Sequence, residues 1–150
     1  MPALAATTYD PAVAVVKNTA ALLAMTAVDT VNLRLTFVVP STGRVQVHMR
    51  TTLHGAATYP QVLMGVMEGA TVRGRVAPKV VVGGTAAATT MADAEALFVV
   101  SGLTPGTTVT WDAAYGVETL VTGTGMKYGG PNDAVTNNAF GAFQYEVWPA

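Results

Sequence analysis

Few side chains in this sequence are equipped for catalysis, so each can be weighed in turn. The only histidines are His48 and His54, the only serines are Ser41 and Ser101, and there is no cysteine. Two histidines six residues apart, with no His-Glu-x-x-His spacing, do not make a metal site without a third ligand. Neither serine sits in a Gly-x-Ser-x-Gly elbow, and both lie in turn sequences beside Pro or Gly. Ser41 and His48 are separated by about half a strand at roughly 3.3 Å per residue, too far for a dyad unless the chain folds back. The sequence therefore predicts no catalytic residue, no metal and no cofactor.

Three further features invite a chemical reading. Glu95, Asp112 and Glu118 could pair across neighbouring strands as an acid-base couple, although acids at outward strand positions are usually solvated. Residues 123–130, "GTGMKYGG", look like a phosphate loop. Their Gly-x-Gly-x-x-x-Gly spacing is wrong for one, and no helix follows to receive an anion. "VRGRV" puts Arg73 and Arg75 on one side of a strand. With Arg34, Arg44 and Arg50 they form either a basic row for a carboxylate-bearing partner or the charge that guards an edge strand.

The elements that must carry these residues are strands. Residues 33–49, "LRLTFVVPSTGRVQVHM", alternate Leu33, Leu35, Phe37 and Val39 inward. After a turn at residues 40–43 the alternation resumes with Val45, Val47 and Met49. The outward row is Arg34, Arg44, Gln46, His48 and Arg50. Further β-type runs cover 61–67, 71–76, 95–100, 108–117, 118–126 and the C-terminal "AFQYEVWPA". In this last run Phe143, Tyr145 and Val147 oppose Gln144, Glu146 and Trp148. Residues 77–91 read as a loop or an edge strand, broken by Gly83-Gly84. About eight strands with regular turn punctuation and no interior helical pattern predict an all-β, antiparallel β-sandwich of jelly-roll type.

Composition narrows the role. The 150 residues fit one domain, net charge is −1, and only 11% of residues are charged against about 25% in an ordinary globular protein. Either much of the surface meets partners, or it is a neutral Thr- and Gly-rich surface. Eight basic against nine acidic residues create no field for nucleic acid. No run approaches the ~20 apolar residues of a membrane span, and "MPALAATTYD" does not read as a signal peptide. Residues 1–27 differ from the rest, being rich in Ala and Val with few charges. Asp10-Pro11 could open a short helix, but the Val content suits an extended arm better. The expected organisation is an N-terminal arm over 1–27 and a sandwich domain over 28–150.

The pattern Phe37-x-x-Pro40-x-x-Gly43-x-Val45-x-Val47, followed by Gly102-Leu103-x-Pro105-Gly106 and an aromatic-bearing strand, resembles jelly-roll domains of bacteriophage virion proteins. These are relatives of the C1q/TNF-like trimeric jelly rolls. Leu-x-Pro-Gly-Thr before a strand also occurs in fibronectin type III domains, which are usually much shorter than this chain. The phage resemblance implies a non-enzymatic structural protein of the virion, assembled in the host cytoplasm. The implied form is a homotrimeric decoration or cement protein bound to the major capsid protein, with a receptor- or carbohydrate-binding fibre tip as the alternative. The latter predicts an aromatic-lined groove near Tyr59, Tyr128 or Trp148. The residues expected to meet partners are Tyr9, Val13, Val16, Leu22 and Leu23 of the arm. Tyr145 and Trp148 of the last strand join them, because aromatics are enriched at subunit contacts.

Overall fold

The computed structural model describes residues 1–11, 13, 15–17, 23–55, 61–86, 89–117, 126–129 and 142–150. Every regular element among them is a strand. In chain order these are β1 (Ala5–Tyr9), β2 (Val15–Lys17), β3 (Thr26–Ala27), β4 (Arg34–Val38), β5 (Val45–Gly55) and β6 (Val62–Glu68). Then come β7 (Thr71–Val76), β8 (Lys79–Ala86), β9 (Thr89–Val100), β10 (Thr108–Val117), β11 (Met126–Tyr128) and β12 (Phe143–Pro149). All pairings are antiparallel.

Seven strands form one sheet and five the other. In the larger sheet β5 is central, with β9 along one side and β12 followed by β11 along the other. β1 and β2 flank β12 and β11, and β8 closes the opposite edge on β9. In the smaller sheet β10 lies between β6 on one side and β4 and β3 on the other, and β7 forms the edge beyond β6. The order β1-β12-β5-β9 facing β4-β10-β6-β7 is the double Greek key of a jelly roll.

Period-two alternation builds the walls. Val45, Val47, Met49 and Leu53 of β5 are buried, as are Leu35 and Phe37 of β4 and Val62, Met64 and Val66 of β6. β10 contributes Trp111, Ala113 and Tyr115, and β12 contributes Phe143, Tyr145 and Val147. Trp111 meets Phe37 edge-on, with centroids 5.0 Å apart at 88°. Each buried large side chain contributes roughly 1.5–3 kcal/mol, so these rows hold the two sheets together.

The two halves of the sequence pattern at residues 37–47 and 102–106 meet in space. The Leu103 amide donates to the Gly43 carbonyl at 3.0 Å, and the Gly106 amide to the Val39 carbonyl at 2.9 Å. Gly43 has φ +62°, and a Cβ there would stand 2.6 Å from the Leu103 carbonyl oxygen, so only glycine fits. The pattern is a structural clasp between two turns.

Several boundaries differ from the sequence expectation. β4 begins only at Arg34, because the Asp29 carboxylate accepts the Val31 and Asn32 amides at 2.8 Å and turns the chain first. β9 begins at Thr89 rather than 95. β5 runs on to Gly55, so His54 lies in a strand with its backbone opposite Met91. The run expected over 118–126 falls outside the described residues except for Met126.

Within the segment read as an arm, residues 5–9, 15–17 and 26–27 are strands that pair into the sandwich. β1 pairs residue for residue with β12, Ala5 facing Val147 and Tyr9 facing Phe143. Farther along, Met25 is buried on the outer face of the smaller sheet against Met67 and Ala114.

Candidate functional site

The outward row of β5 becomes a polar cluster once its neighbours are in place. Antiparallel register sets His48 between Leu97 of β9 and Glu146 of β12, and Gln46 between Val99 and Trp148. Cross-strand neighbours of this kind are close enough to interact directly. His48 Nε2 is 2.9 Å from Glu95 Oε1, and Nδ1 is 3.6 Å from Glu146 Oε2. The Trp148 indole Nε1–H donates to Glu146 Oε2 at 2.9 Å. One row farther on, Arg50 Nη2 donates to Asp93 Oδ2 at 2.8 Å. That hydrogen bond, then the carboxylate's charge, raises the Arg50 pKa above its ordinary value.

Met1, Gln46, His48, Glu95, Leu97, Glu146, Trp148 and Pro149 line an open groove of about 430 Å³ on this face. Leu97 is 55% and Val99 49% exposed, so apolar surface borders the two glutamates. Such a groove can receive a cationic or polyhydroxyl group beside an aliphatic or aromatic contact. Acid-base catalysis would need a nucleophile within reach of His48. Ser41 and Ser101 do not supply it, since they lie beyond the ends of β4 and β9, in turns outside the groove. Among the described residues no three His, Asp or Glu side chains are placed to hold a metal ion.

The other sequence candidates are dispersed. Asp112 lies on the smaller sheet, where Arg34 grips it through Nε at 2.7 Å and Nη2 at 2.9 Å. This hydrogen bond, then charge, raises the Arg34 pKa. Glu95 is on the larger sheet, so the two acids do not converge, and Glu118 lies outside the described residues. The five arginines form no single row, because Arg50 lies on the larger sheet with Arg44 just before β5, whereas Arg34, Arg73 and Arg75 lie on the smaller sheet. Arg73 donates to Glu68 Oε2 at 2.6 Å, and Arg75 Nη1 to the Leu23 carbonyl at 2.9 Å.

Of the expected contact residues, Val13 is 75% and Leu23 63% exposed. Tyr9 is half-buried against the core, β2 places Val16 opposite Lys127, and Leu22 lies outside the described residues. Tyr145 is a correction. It faces inward with Phe143 and Val147 and is wholly buried, so its ring fills the core and meets no partner. Trp148, of opposite parity, reaches the surface. Of the aromatics proposed to line a groove, Tyr128 is buried against Phe143, and Tyr59 is outside the described residues.

The alternation in β5 and β12 already exposed Gln46, His48, Glu146 and Trp148 to a sequence reading. Leu97 and Glu95 as their neighbours were not visible, because no local signal reports which strand lies beside β5. Set against protein-family models, curated proteins and solved structures, the chain matches none, and what stands is an all-β, two-sheet antiparallel sandwich.

Proposed function

We propose that this chain is a non-enzymatic structural protein of a bacteriophage particle. In this reading it decorates the head as a homotrimer, binds the major capsid protein and stabilises the shell. The observation that carries the reading is the N-terminal segment. Its first strand is stitched into the sandwich, while Val13 stands 75% exposed between β1 and β2. An exposed valine on a tethered segment, in a chain with few charges, suits burial against a larger assembly. The jelly-roll strand order is compatible with this role, though one fold serves many functions.

The test is cosedimentation of the purified protein with empty capsids, with shell melting as the second readout. Val13→Asp should weaken capsid association while leaving the sandwich folded. Deleting residues 1–27 is the wrong instrument, since it removes a wall of the larger sheet and Met25 from the smaller one. Wild-type protein that fails to cosediment would sink the reading. A second reading, a carbohydrate-binding fibre tip, is favoured by Trp148 beside Gln46, Glu95 and Glu146 in an open groove. Loss of a glycan-array signal on Trp148→Ala would support it.

A further inference from the structure

The groove beside Trp148 does not end at Leu97. A second hollow of about 230 Å³, lined by Val76, Ala77, Lys79, Glu95 and Leu97, meets it at the Glu95 and Leu97 side chains. Register sets the polar and apolar groups of this face in three successive rows. Trp148, Gln46 and Val99 form the first, Glu146, His48 and Leu97 the second, and Arg50, Glu95 and Lys79 the third. Trp148 on β12 and Lys79 on β8 are three strand spacings apart across the sheet and four residues apart along it. That is a diagonal of roughly 20 Å.

The side chains along this diagonal combine donors, acceptors and apolar surface. Glu146 accepts the Trp148 indole N–H and Glu95 contacts His48 Nε2, yet each carboxylate keeps lone pairs free, since its two oxygens can take about four donors. The Gln46 amide and the Lys79 ammonium have no hydrogen-bond partner among the described residues, so both can donate outward. Charges of both signs are interspersed, with Lys79 opposite Glu95 and His48 between Glu95 and Glu146, so the face offers no single-signed field to select an ion. The bond to Glu146 steadies the indole, and Leu97 is 55% exposed beside it. A neutral molecule that both gives and takes hydrogen bonds, and carries an apolar C–H face, matches all of these groups. A chain of sugar rings has that make-up. A peptide strand would instead seek unpaired backbone, and β12, β5 and β9 each have a neighbour on both sides.

We infer that the outer face of the larger sheet binds a neutral oligosaccharide laid diagonally across the strands from Trp148 to Lys79. One ring lies against the Trp148 indole. The middle of the chain crosses Leu97 with its hydroxyls donating to Glu95 and Glu146, and the far end accepts from Lys79. The trough is open along its length, so the chain can run on past both ends, unlike a small ligand enclosed in a pocket. The inference rests on the fibre-tip reading above and specifies its ligand, and it leaves capsid binding to its own assay.

The experiment is titration calorimetry on the full chain with glucose, galactose and N-acetylglucosamine oligomers from the disaccharide upward, beside sialylated and uronic acid oligomers. In the neutral series that binds, affinity should climb at least about tenfold from the disaccharide to the length that spans the diagonal, then level off. This rise is read on the wild type, so misfolding of a variant cannot imitate it. Trp148→Ala should weaken every length at least about tenfold. Lys79→Ala, at an exposed position, should weaken only the longer oligomers, by about fivefold. Binding that Trp148→Ala removes but that does not grow with length, or that grows without responding to Lys79→Ala, would overturn the extended site and leave the fibre-tip reading standing. Preference for the acidic oligomers would overturn it as well. No binding by any oligomer, or binding indifferent to Trp148→Ala, would remove both.

Discussion

Tyr145 tests the energetics of this core most directly. Its hydroxyl is buried inside the sandwich and has no hydrogen-bond partner among the described residues. Folding strips water from that hydroxyl and returns nothing, a penalty of about 1–3 kcal/mol. Tyr145→Phe removes the penalty and leaves a void of roughly 15 Å³, costing about 0.4 kcal/mol at about 24 cal/mol per Å³. The variant should therefore be more stable by about 1–2 kcal/mol, which raises Tm by roughly 2–8 °C in a chain of this size. Burial, with Asp112 nearby as the smaller cause, pushes the Tyr145 phenol well above its ordinary pKa. The unfolded chain releases this proton near pH 10 while the folded protein keeps it. Stability is thus undiminished below pH 10, then falls by about 1.4 kcal/mol per pH unit as pH rises toward the folded value. Tyr128, shifted the same way by burial first, adds a similar slope. Urea unfolding between pH 7 and 11.5 reads both effects. Loss of 1 kcal/mol or more at pH 7 in Tyr145→Phe would show that the hydroxyl is satisfied. An alkaline slope unchanged by the substitution would refute the assignment of the proton.

Two other substitutions separate packing from charge. A Cβ on Gly65 would collide with the Gly74 carbonyl on the adjacent strand and with the Met25 methyl, 2.9 Å away. Gly65→Ala should therefore cost about 1–3 kcal/mol in chemical denaturation, and an unchanged midpoint would contradict the pairing of β6 with β7. Arg34→Ala leaves the buried Asp112 carboxylate without its bidentate partner, whereas Arg50→Ala frees the half-exposed Asp93 to meet water. Melting curves should show a clear drop for the first and almost none for the second. Equal drops would mean that burial of Asp112 has been misjudged.

The strand walls were legible where inward positions follow one another at every second residue. Residues 33–39, 45–53, 108–117 and 143–147 all point as their alternation predicts, because side-chain parity is a local property of the backbone. β9 was read short because its first residues are Thr and Ala, too small and mixed to mark an inner face. Gly55 reads locally as a turn residue, yet β5 runs through His54 to Gly55 because β9 pairs with it that far. Parity also separates Tyr145 from Trp148. The sequence reading had set them on opposite faces yet offered both to a partner, and only the outward one can meet it.

The sequence by itself determined which side chains face in and which face out, the all-β class, and the identity of the turns. Only the tertiary structure decided the neighbours. The Gly43 turn clasps the one at Leu103, β1 becomes a wall against β12, and Met25 seals the far side of the smaller sheet. The same holds for the charges. Arg34 finds Asp112 across 78 residues and His48 finds Glu95 across 47. Arg75 is left with a backbone carbonyl instead. Alternation is encoded in each residue's own backbone geometry, whereas register is a choice among distant strands made by the packing of the whole core.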